Sequence, residues 1–211
     1  MHPKIIVLII MNNAPAIIPN LNIFRTSIWL MEKRILFIGL FIFFISPGRS
    51  ISQTTETGPV IENYGKVWKI EDLSFATETS KEFRVVFDIM NSPESHSEIN
   101  KNIATAARFL NMHAQSGVPW ENLKVVLVVH NKASKDIMSS LAYHKRFSVN
   151  NPNEALVQEF MAAGVEIIFC GQSSLARGYP IEEAIDGVQL ALSAMTALIQ
   201  LQDDGYQLIK F

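Results

Sequence analysis

The sequence predicts an α/β fold, a mainly parallel β-sheet covered by helices on both sides. Two observations carry this reading. Short apolar runs alternate with helical patterns from Phe83 onward. The runs are also continuously apolar, as strands buried on both faces of a parallel sheet are. A chain of 211 residues can bury a core of that kind.

Each element has its own signal. Phe83 to Ile89 (Phe-Arg-Val-Val-Phe-Asp-Ile) is rich in β-branched and aromatic side chains and reads as the first strand. Ile99, Ile103, Ala106, Ala107, Leu110 and Ala114 form one stripe, which predicts a helix over 97–115 with Gly117 just past its end. The second strand is 123–129. A short segment over 134–147 and a polar turn over 148–152 follow, and Asn153 can cap a helix over 154–163 that Gly164 ends. The third strand is 165–170. Residues 188–192 form a fourth apolar run, which periodicity alone does not separate from the first turn of the helix over 193–204. Gly205 ends that helix, and 206–211 is a final strand. Upstream, Tyr64 and Trp68 lie in an extension that can add an edge element.

The apolar residues are unevenly spread. They make up 48 % of the chain and much of the excess precedes residue 50. Met31 is followed by Glu32-Lys33-Arg34, an apolar run over 35–45, the helix breakers Pro47 and Gly48, and the small residues Ser50 and Ser52. That run is too short to span a bilayer and has the length of a signal-peptide core. Residues 31–52 therefore read as a secretory signal, 1–30 as a gene-model extension, 53–80 as a polar entry segment that is flexible over 53–62, and 81–211 as the folded domain. The expected location is the periplasm or cell envelope, with no stable transmembrane span after processing. Loss of residues 1–52 leaves 13 basic and 19 acidic side chains, a net charge of −6. Such a balance argues against nucleic acid as a partner.

In an open parallel sheet, ligands bind at the carboxyl ends of the strands. Those ends carry 91–96, His130-Asn131 and Cys170-Gly171-Gln172-Ser173. Cys170 is the single cysteine, which excludes an intramolecular disulfide and a multi-cysteine zinc site. A thiol at a strand end, before a turn of N–H donors and near Arg177, has a lowered pKa and should be partly accessible. The competing reading is a small buried hydrophobe that closes a core strand. His130 can shift proton balance near neutral pH or simply cap its strand. Asn131, Gly171, Gln172 and Ser173 are candidate ligand-binding residues around the pair. No metal motif, dinucleotide fingerprint, phosphate loop or nucleophile elbow is present, and no cofactor is implied.

Cys170-x-x-Ser173-x-x-x-Arg177-Gly178, after the strand that begins Gly164-Val165, resembles the cysteine loop of the DsrE/DsrF/TusD sulfur-carrier family. Residues 198–206 resemble that family's closing helix–glycine–strand signature, and the Val128-Val129-His130 strand end and Asn151-Pro152-Asn153 are similar to its exported, single-domain branch. The resemblance implies a flavodoxin-like three-layer α/β/α domain that forms a homo-oligomer. It further implies a sulfur carrier or sulfurtransferase that takes sulfane sulfur on Cys170 as a persulfide. Arg177 and backbone N–H groups would stabilise the thiolate and His130 would assist protonation. Partners would be a sulfur donor or acceptor protein or a small sulfur compound. The alternative is a non-catalytic module of the cell envelope that binds a small ligand or a partner. Leu190, Leu192, Met195, Leu198 and Ile199, more apolar residues than one helix face would bury in a small domain, add to the expectation of a homo-oligomer. N-terminal sequencing of protein recovered from the cell envelope is expected to begin near Gln53; an intact 1–52 segment on cytoplasmic protein would refute the leader.

Overall fold

The computed structural model describes residues 54–211. The leader and the segment before it lie outside the described residues. Two short strands come first, β1 (Thr55–Glu56) and β2 (Val67–Trp68), paired antiparallel as a sheet of their own. The alternation then follows: β3 (Phe83–Ile89), α1 (Lys101–Gln115), β4 (Leu123–Val129), α2 (Ser140–Phe147), α3 (Glu154–Ala162), β5 (Glu166–Cys170), α4 (Gly171–Arg177), β6 (Gln189–Ala191), α5 (Ala194–Asp203) and β7 (Gln207–Lys210). The main sheet is parallel throughout, in the order β6-β5-β4-β3-β7.

Alternation along the strands divides the core into two layers. Val85, Phe87 and Ile89 of β3, with Val125, Leu127 and Val129 of β4 and Ile167 and Phe169 of β5, pack in one cluster with residues of α1, α2 and α3. Val86, Val126, Val128 and Cys170 point the other way, against Ala194 and Ala197 of α5. The expected three-layer α/β/α arrangement is therefore present, with one face far more heavily covered than the other. Among the described residues no helix is long and apolar enough to cross a membrane.

Three local details differ from the sequence reading. The first helix starts at 101 instead of 97, because Asn100 caps it by accepting from the N–H groups of Asn102 (2.9 Å) and Ile103 (3.4 Å). Asn153 is not a side-chain cap: its Oδ1 accepts the Asn100 N–H at 2.7 Å, a tertiary bond that takes it away from α3. Residues 131–137 form a 3₁₀ stretch before α2. The fourth apolar run resolves into β6 and a separate helix, since the Ser193 hydroxyl accepts the Thr196 N–H at 3.1 Å and starts α5 afresh.

The lead-in is fastened rather than loose. Ile61 is fully buried in the main core. The buried Asn111 of α1 accepts the Ile61 N–H at 2.9 Å and donates to the carbonyls of Ile61 and Tyr64, both at 2.9 Å. Gly65, at φ +71°, lets the chain lie on α1: a Cβ there would sit 2.5 Å from the Ala107 carbonyl carbon. Asn111→Ala strands buried backbone groups and is expected to cost about 2–3 kcal/mol. Urea denaturation checks this, and hydrogen exchange should show the loss concentrated over 60–65.

Candidate functional site

The carboxyl ends of β3, β4 and β5 meet at one rim, and alternation decides which side chains share a face there. Phe87, Ile89, Val129 and Phe169 all point into the α1–α3 layer. Asp88, His130 and Cys170, each one residue away in extended backbone, therefore project to the α5 side. Val129 is paired with Phe169. His130 and Cys170 thus follow in step on strands about 4.8 Å apart.

Cys170 is 4 % exposed and lies against Ala194 at the start of α5. The expectation of partial accessibility is overturned: α5 begins directly over the sulfur. Burial pushes the thiol up. The Ser173 hydroxyl and the N–H groups of Ser173, Ala194 and Gln172 together outweigh it and leave the pKa below the ordinary thiol value. Gly171 is required for this packing, since a Cβ there would lie 2.8 Å from the Ala191 carbonyl oxygen. Gln172 donates from Nε2 to the Leu192 carbonyl at 3.4 Å, so the loop is clasped against the β6–α5 connection.

Arg177 does not fold back over the thiolate. Its Nη2 donates to Asn131 Oδ1, and the guanidinium stays on the exposed side of α4. Asn131, at φ +54°, in turn donates its N–H to Ser173 Oγ at 3.0 Å. The Ser173 hydroxyl that accepts from Asn131 is also the side chain that lowers the Cys170 pKa, so Asn131 and Arg177 connect to Cys170 through Ser173.

Beside this nest lies a charged group that the sequence reading did not include. Asp88 is 4 % exposed in the interior of the sheet, with Oδ1 at 2.6 Å from His130 Nε2 and Oδ2 at 3.0 Å from Lys210 Nζ of β7. The signal was available: one carboxylate among the apolar residues of a central strand, next to its carboxyl end. Lys210 was not legible, because only the pairing of β7 with β3 brings it opposite Asp88.

A sequence model of the DsrE/DsrF-like family matches residues 84–211, more than half of the chain. The chain belongs to this family. Membership suggests a sulfur-relay-like role. No curated protein matches the sequence. Similar solved structures include the protein of unknown function MTH1491 from Methanobacterium thermoautotrophicum and the ychN protein from E. coli. The first is 19 % identical, with 61 % of this chain and 99 % of that chain covered and a TM-score of 0.47. The second is 17 % identical, with the same coverage and a TM-score of 0.46.

The DsrE-family domain thus presents a buried thiol with a lowered pKa next to a histidine held by a carboxylate. The rate of alkylation against pH should inflect below the value for an ordinary thiol, and Ser173→Ala should raise the inflection. Burial should make the folded protein react on the order of tenfold or more slowly than protein unfolded in urea. The lowered thiol also stabilises the fold as pH rises through its folded pKa, an effect complete above about 8.5, the unfolded thiol value. Cys170→Ser should abolish that rise in urea melts taken across the window.

Proposed function

We propose that the domain is a sulfur carrier of the cell envelope that holds sulfane sulfur as a persulfide on Cys170. The observation that carries the reading is a buried cysteine at the carboxyl end of β5, one strand away from the His130 that Asp88 holds, with its pKa lowered by the Ser173 hydroxyl and neighbouring N–H groups. The Cys170 thiolate attacks the outer sulfur of a donor persulfide, RSSH. A new S–S bond forms as the donor bond breaks, and the electron pair leaves with RS⁻. His130, oriented by Asp88, supplies a proton to the departing thiolate. An acceptor thiol reverses the chemistry, so no external oxidant or reductant is needed. The donors that favour thiolate serve the terminal sulfur of a persulfide anion equally. The leader-like segment over 31–52 supports the envelope location.

Association into a homo-oligomer belongs to the same reading. Leu190, Leu192, Met195 and Ile199 are all more than half exposed on β6, the connection after it and α5, the thinly covered side of the sheet. One observation favours the non-catalytic binding module: Cys170 is buried, and a core cysteine needs no chemistry. Incubation with a sulfane-sulfur donor followed by intact mass separates the two. Addition of one sulfur atom to the wild type, absent in Cys170→Ser and reversed by a small thiol, is expected of the carrier. No addition to the wild type would leave the binding module.

A further inference from the structure

We propose that the domain has a second site, a basic cavity that binds a small tetrahedral oxyanion of the sulfate, thiosulfate or phosphate class. The cavity, about 170 Å³, lies at the same carboxyl rim and is lined by Ser92, His96, Lys132, Lys135, Arg177 and Tyr179, among others. Three elements converge on it: the loop after β3, the 3₁₀ stretch after β4, and the end of α4. Its volume holds such an ion with a few waters, each about 30 Å³.

The decisive group is Lys135, whose side chain is only 10 % exposed. An ammonium has three protons to give. One goes to Asp136 Oδ1 at 3.2 Å and one to the Tyr143 hydroxyl at 3.3 Å; the third has no protein acceptor among the described residues. The lysine is fixed from beneath. Asp136 is fully buried and is also held by Ser92 Oγ (3.0 Å) and Asn100 Nδ2 (2.7 Å), and Tyr143 donates to the His96 carbonyl at 3.1 Å. The cavity wall is therefore preorganised, and its uncommitted donor is already desolvated.

Charge points the same way. Three cations line a cavity in a stretch, residues 54–211, whose net charge is −6. Against them stand Asp136, engaged by Lys135, and Glu94, which is highly exposed and 3.6 Å from Lys132. Arg177 has no carboxylate within 4 Å among the described residues; its one side-chain partner is the neutral Asn131. A dianion would occupy the position where this excess is greatest.

Calorimetry with sodium sulfate, thiosulfate and phosphate, against sodium chloride at equal ionic strength, tests the site on the full domain. Saturable binding of the tetrahedral anions but not of chloride is expected. The exposed-residue variant Lys132→Gln/Arg177→Gln should weaken it at least tenfold, with melting in anion-free buffer showing that the variant is folded. Lys124→Gln, at the opposite end of β4, should bind as the wild type does. Cys170→Ser should too, which keeps this site separate from sulfur transfer: a failed mass experiment leaves it standing. No saturable binding, equal binding by the double variant, or loss of binding in Cys170→Ser would each overturn it.

Discussion

A carboxylate in the interior of a parallel sheet has to be satisfied on both oxygens, and Asp88 is satisfied by residues from its two flanking strands. His130 follows β4 and Lys210 ends β7. Both contacts require the observed strand order, with β7 inserted beside β3 instead of continuing outward from β6. Removing either partner would leave a buried charge poorly compensated, which costs far more than a surface pair contributes. The last strand of the fold is thus coupled to the rim that carries the thiol, and through Asp88 to the ring orientation of His130.

The architecture was legible because the apolar runs are themselves the physics of a two-sided core. Residues 83–89 and 123–129 became strands over those same limits, since nothing at either end competes with the sheet. The rim followed from the same alternation, which is why His130 and Cys170 stood out without structural information. What was not legible rests on asparagines. Asn100, Asn111, Asn151 and Asn153 are all buried; the side chains of Asn111, Asn151 and Asn153 bond backbone distant in the chain, and that of Asn100 reaches the Asp136 carboxylate. An asparagine before an apolar stripe reads as a cap, and at Asn100 it is one. At Asn153 a partner 53 residues away in sequence takes the side chain instead. Local propensity carries no information on such a partner.

The same limit governs the placement of Arg177. Its spacing from Cys170 suits a guanidinium folded over a thiolate, but α4 runs away from the sulfur and the side chain meets Asn131 first. Thiolate stabilisation then falls to short-range donors, the Ser173 hydroxyl and backbone N–H groups. Such donors are fixed by the fold and need no long side chain to be ordered, so they remain in place when the protein is otherwise undisturbed.

Burial and activation of Cys170 act in opposite directions, and the balance between them bears on the kind of chemistry the site can support. Desolvation raises the thiol pKa and also slows encounter with any donor, which disfavours rapid turnover. The converging donors reverse the first effect but leave the second. The site therefore combines a lowered thiol pKa with restricted solvent access, a combination in which the anion is favoured but encounter with a reagent is slow. Ala194 at the start of α5 packs with Cys170, and the β6–α5 connection clasps the two residues that follow the cysteine, Gly171 and Gln172. That side is also where Leu192 and Met195 are exposed. Leu192 and Met195 flank the Ala194 that packs on Cys170, so the cover of the sulfur and the exposed apolar residues belong to one stretch of chain.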